Sequence, residues 1–140
     1  MGRITPRVWV VEWGGQMVAE VQLICPERTI RLDTPEWERW LEEPTTSSFA
    51  YPIYDRRLGY IRGWMTVRKE RRGRGGHYWV AYRRAGKRLC KIYLGRSTKI
   101  GPSQLGEAAT RFLALADEAE REAEDEGEWQ SRKEVMLRKA

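Results

Sequence analysis

Cysteine and histidine are almost missing from this chain: Cys25, Cys90 and His77 are the whole set in 140 residues. Neither cysteine has a Cys or His close by in sequence. A structural zinc site needs about four such ligands, so zinc is excluded. Two buried, reduced thiols in a cytosolic protein are the simpler reading. Long apolar runs are missing too; Val8, Trp9, Val10 and Val11 form a typical stretch, too short to span a bilayer. No extended apolar segment follows a basic start at the N-terminus, so a secretory signal is not expected. Acidic residues are missing from one region in particular. Between residues 56 and 99, Glu70 is the single carboxylate.

Aromatic residues are plentiful, with seven Trp and six Tyr. Their burial offsets chain entropy, which argues against disorder. The length suits one domain with a modest core. The net charge of +6 is unevenly spread. Residues 1–55 carry a net −4, residues 56–99 a net +14, residues 100–130 a net −7 and the last ten a net +3. A 44-residue block with fourteen unbalanced positive charges repels itself unless a polyanion meets it. Phosphate backbones are the commonest such partner, through release of their counterions.

Residues 7–13 and 16–24 read as two strands joined at Gly14 and Gly15. Asp33, Thr34, Pro35 and Glu36 form a helix start, with a capping side chain and proline at the first helical position. The short helix over 36–42 places Trp37, Trp40 and Leu41 on one face and ends before Pro44. Thr45 to Ser48 reads as a polar link. Three further strands are expected over 58–71, 77–84 and 88–94. Gly73, Arg74, Gly75 and Gly76 interrupt the first pair, and Ala85, Gly86 and Lys87 form the second turn. A long helix opens at Pro102 or Ser103, with Leu105, Ala109, Phe112, Leu113, Ala116 and Ala119 on one stripe. Beyond Ala119 the pattern fades into a solvated acidic extension, and Gly127 is a candidate helix break.

Side chains alternate between the faces of a strand, so each strand splits in two. Stacking Ile61, Met65 and Val67, then Tyr78, Val80 and Tyr82, then Cys90, Ile92 and Leu94 on the long helix gives a two-layer β-β-β-α unit. The opposite face then gathers Arg62, Trp64, Arg68, Trp79, Arg83, Lys91 and Tyr93. Arginines on such a sheet read guanine edges in a major groove, while Lys69, Arg71, Arg72, Arg74, Arg96 and Lys99 hold phosphates. Exposed rings suit unpaired bases equally well. The plainer alternative is a solvated face whose aromatics cover arginine stems. In the glycine-rich tip, the arginines either follow a phosphate strand or simply decorate a flexible hairpin. That loop lacks the Lys-Ser/Thr ending and following helix of a nucleotide P-loop.

Catalysis finds little support. His77 has no evident Ser or Cys nucleophile near it, and no Arg/His constellation surrounds a tyrosine. The acids of 117–128 fall at successive positions, as on a solvated helix face. The chain is therefore read as non-enzymatic, without metal or cofactor.

The stretches Gly63 to Glu70, His77 to Arg84 and Lys91 to Ser97 carry a resemblance, with Leu32 to Trp37 and Ser47 to Pro52 upstream in the same pattern. Over about residues 30–113 the chain resembles a segment that accompanies LuxR/MalT-type transcription regulators of Chloroflexi-like bacteria. More loosely, its β-β-β-α order is similar to the arm-DNA-binding domain of tyrosine recombinases and to AP2-type domains. That similarity implies that Arg62, Trp64, Arg68, Trp79, Arg83, Lys91 and Tyr93 face the groove. The chain lacks the helix-turn-helix, the ATPase and the recombinase catalytic domain.

The expected protein is α+β: an N-terminal hairpin plus short helix (1–46), then a three-stranded antiparallel sheet on one long helix (50–125), then a mixed-charge tail (126–140). Its expected partner is double-stranded DNA, as a nucleoid-associated cytoplasmic regulator or accessory factor in a larger system. The alternatives are an RNA or single-strand binder, and a protein adaptor that docks through residues 1–24 or the acidic helix 117–128. No membrane partner is expected.

Overall fold

The computed structural model describes the backbone of residues 5–24 and 27–139, and their side chains except at 13, 24 and 128–139. Cys25 lies outside the described residues. In chain order the elements are β1 (Arg7–Trp13), β2 (Gln16–Ile24), β3 (Glu27–Arg31), α1 (Pro35–Glu42), β4 (Ser48–Asp55), β5 (Tyr60–Arg71), β6 (His77–Ala85), β7 (Arg88–Gly95) and α2 (Pro102–Lys139). A 3-10 turn over Ser97–Lys99 precedes α2.

The expected three-stranded sheet with a separate hairpin is corrected. All seven strands join one mixed sheet in the order β3-β2-β1-β4-β5-β6-β7. Neighbours are antiparallel except β1 and β4, which run parallel and meet where Arg7 lies opposite Ala50. The strand unforeseen at the centre is β4. Its Phe49, Tyr51, Ile53 and Asp55 alternate onto one buried face, but Pro52 disguises it. Proline removes a ladder donor and is excluded from fully paired strands. Here the register with β1 reaches only Ala50, whose N–H donates to Pro6 at 2.8 Å, so Pro52 needs no partner on that side. The edge strand β3 was hidden for a different reason: four of its five residues are polar, and Ile30 alone is fully buried.

Both helices cover the same face of the sheet. The row Phe49, Val67, Ala81 and Ile92 runs across β4 to β7 and packs in one cluster with Trp37 and Trp40 of α1 and Leu105, Ala108 and Phe112 of α2. Thr34 caps α1 by accepting from the Trp37 N–H at 3.2 Å, as its sequence implies. Two indoles lock the turn before α2. Trp37 Nε1 donates to the Ile100 carbonyl at 2.6 Å, and Trp79 Nε1 donates to Ser97 Oγ at 2.9 Å. The helix α2 does not break at Gly127 but continues to Lys139. A helical glycine costs only about 1 kcal/mol against alanine, and the residues on both sides favour a helix. No helix among the described residues is long and apolar enough to cross a membrane.

Candidate nucleic-acid interface

With the helices on one side, the other side of the sheet is covered by no helix among the described residues, and it is the open face below. Its residues follow from the register. One row holds Arg7, Ala50, Thr66, Tyr82 and Lys91; the next holds Ser48, Arg68, Val80 and Tyr93; Trp64 lies opposite Pro52 and Glu70 opposite Tyr78. Trp64, Arg68, Lys91 and Tyr93 therefore occupy the face that the sequence assigns them. Tyr93 is 57% exposed, and its ring lies 5.3 Å from that of Tyr78.

Trp79 and Arg83 are corrected. Both sit on the helix side of β6, and Tyr78, Val80 and Tyr82 take the open side instead. Trp79 is fully buried against Phe49. Alternation cannot choose between these sets, since each contains large apolar or aromatic residues. The useful signal is Ala81, small enough to let α2 approach closely beside Ala108 and Ala109. Arg83 lies where the β6–β7 hairpin has parted from β5, because their ladder ends at Tyr82. Its guanidinium turns back across Gly63 and donates to the Trp64 carbonyl at 2.8 Å, satisfying an acceptor that the ladder leaves open.

A Cβ at residue 63 would collide with that guanidinium. The Gly63→Ala variant is expected to displace Arg83 and lose about 1–2 kcal/mol in thermal unfolding. Arg83→Ala should lose a similar amount, and the double variant no more than either alone.

Arg62 is corrected for another reason. Ile53 pairs with Gly63 but Tyr54 with Ile61, so Arg62 is the extra residue of a bulge. A one-residue bulge turns it to the helix side, where Nη1 meets Asp117 at 2.8 Å and Asp55 at 3.5 Å, and Nη2 meets Glu120 at 3.0 Å. Arg57 reaches Asp117 at 2.9 Å as well. The start of the acidic stretch therefore clamps α2 to the β4–β5 hairpin rather than standing wholly in solvent. The hydrogen bond from Arg62 is the main cause that holds the Asp117 carboxyl below its ordinary range. A lowered carboxylate contributes stability fully above the ordinary range and loses it as pH falls through the lowered value. In urea melts, Asp117→Asn is expected to be less stable than wild type near neutrality. The gap should close below about pH 4 and shrink with salt.

Lys69 also leaves the open face. It donates to the Glu43 carbonyl at 3.0 Å with Nζ 5.5 Å from the Trp79 ring, and burial lowers its pKa. Lys99 lines a groove between the starts of α1 and α2 with Asp33 and Glu38, apart from the sheet face. Arg71, Arg72 and Arg74 stand exposed on the β5–β6 tip, and Arg96 is exposed just after Gly95 at the same end of the sheet. Apart from Arg57, Arg62, Lys69 and Arg83, every Lys and Arg between residues 56 and 99 is exposed and makes no ion pair among the described residues.

The open face gains residues that sequence reasoning missed. Arg7 lies over the Trp64 ring at 5.0 Å, and Trp9 meets Trp64 edge-on at 5.0 Å, joining β1 to the aromatic surface. Arg68 stacks over Tyr82 at 5.8 Å. The Tyr78 hydroxyl donates to Glu70 Oε2 at 3.3 Å, and the Tyr82 hydroxyl donates to Glu70 Oε1. Val80, in the row between them, is only 4% exposed although it points away from both helices. Comparison with protein-family models, curated proteins and solved structures finds no match.

Proposed function

We propose that the chain is a non-enzymatic module that binds duplex DNA with the open face of β5, β6 and β7 and the arginine tip between β5 and β6. One observation carries this reading: eleven of the fifteen cations of residues 56–99 stay exposed without an ion pair among the described residues, while the carboxylates of Asp55, Asp117 and Glu120 are taken up by Arg57 and Arg62. Surfaces normally mix both signs, so cations left unpaired in one region suit a polyphosphate. Their spacing supports a duplex. The tip arginines stand at one end of β6, and Arg84, Lys87 and Arg88 at the other. The seven-residue step from His77 to Arg84 spans about 23 Å at roughly 3.3 Å per residue. A major groove is about 12 Å wide, so the two ends reach phosphates on both of its sides. The role proposed for such a module is that of a regulator or accessory factor in a larger nucleoprotein system.

Tyr93 favours a second reading. An exposed ring beside Tyr78 and near Lys91 is a stacking platform for unpaired bases, as single-strand and RNA binders use. Fluorescence anisotropy on a duplex, a single strand and an RNA hairpin of matched length, across a salt series, separates the two. The duplex should bind most tightly, with log affinity falling linearly in log salt. Tighter binding of the single strand or the hairpin favours the second reading. Failure to bind any of the three at low salt removes both.

A further inference from the structure

Glu70 is out of place on this face, and the manner of its placement is informative. It is the lone carboxylate among the cations of residues 56–99, yet it makes no ion pair among the described residues. Two phenols hold it instead, Tyr78 on one oxygen and Tyr82 on the other. The bond to Glu70 is the main cause that raises the pKa of Tyr82, and burial the main cause for Tyr78, so both hydroxyls keep their protons and remain donors. A carboxylate offers about four acceptor positions, and the two phenols use two of them. What remains is a fixed, charged acceptor, with Arg68 in the adjoining row of the open face.

Such a group repels a phosphate. A face built only to grip the DNA backbone gains nothing from it, and simple repulsion would favour its loss. Base edges are different, because cytosine presents its N4 amino group in the major groove as a donor that a carboxylate accepts. We infer that Glu70, held by Tyr78 and Tyr82, is a specificity-determining acceptor that reads the exocyclic amino group of a base in the groove, cytosine N4 above all. This rests on the duplex-binding reading and assigns the base chemistry of that same face.

The test is selection from a random-sequence duplex pool with the full chain, comparing wild type with Glu70→Gln and Tyr82→Phe. Wild type should enrich cytosine at one position by about fivefold or more over the other bases. Glu70→Gln should lose that preference, and its affinity for unselected duplex should stay level or rise because a phosphate-repelling charge has gone. Tyr82→Phe keeps the charge but frees one carboxylate oxygen, so it should blunt the same preference. If Glu70→Gln does not fold by circular dichroism, the Tyr82→Phe result decides. Retention of the cytosine preference in the variants overturns the inference. So does an equal loss for every sequence, which would mark Glu70 as a mere anchor for the two rings. Wild-type binding that ignores sequence sinks this inference alone, whereas wild-type failure to retain any duplex at low salt sinks the duplex reading along with it.

Discussion

Replacing Arg71, Arg72 and Arg74 together by alanine is expected to weaken duplex binding on the order of 100-fold at 0.1 M salt. The reasoning is electrostatic. Each phosphate neutralised contributes about −0.9 to the slope of log affinity against log salt, so one contact amounts to roughly eightfold at that salt. All three arginines are exposed on a tip held by the Arg72 N–H to Gly76 carbonyl bond at 2.9 Å, and none makes an ion pair among the described residues. The slope itself should become shallower by about 2 to 3, and all sequences should suffer alike, because phosphate contacts carry no base information. The fold should not notice, since surface changes of this kind usually stay within about 0.5 kcal/mol. A salt series on the triple variant measures slope and affinity together. An unchanged slope would place the tip away from the phosphates.

That basic tip was legible in the sequence because it depends on local composition: glycines, arginines and the absence of acids need no tertiary context. The same holds for α1, whose Thr34 cap and Pro35 start are local signals. What escaped was decided at a distance. The face taken by Trp79 depends on Phe49 of a strand disguised by Pro52, and no period-2 pattern within β6 encodes it. Arg62 follows perfect alternation in the sequence, but one bulged residue reverses its direction. The parallel pairing of β1 with β4 joins segments more than forty positions apart, through a single register pair. Lys91 and Tyr93 lie on the open side because Cys90, Ile92 and Leu94 share one parity and pack against the core, whereas Leu89, on the other parity, is left exposed.

The second large effect belongs to that corrected residue. Trp79→Ala is expected to lose about 3–5 kcal/mol, a large share of the roughly 5–15 kcal/mol that holds a domain together. The indole is fully buried, touches Phe49 at 5.5 Å between ring centroids and donates to the buried Ser97 hydroxyl. Its removal opens a cavity between the sheet and the turn before α2, and leaves Ser97 Oγ without its donor. Trp79→Phe should recover part of the loss by refilling the cavity, though the hydrogen bond stays missing. Tyr93→Ala, on the neighbouring strand β7, provides the contrast. Its ring stands mostly in solvent, so urea unfolding should move by no more than about 0.5 kcal/mol. If instead Trp79→Ala melted like wild type and Tyr93→Ala unfolded, the assignment of the two faces would be reversed.

Which face meets the nucleic acid is the point on which the account turns. Amide shifts in a nitrogen-15 spectrum, followed while duplex DNA is added at low salt, report it residue by residue. The account predicts shifts along the open rows, at Arg68, Tyr78, Tyr82, Lys91 and Tyr93, and through the tip at Arg71 to Gly76. Shifts gathered instead on α1, α2 or the groove at Lys99, with the open rows silent, would contradict it.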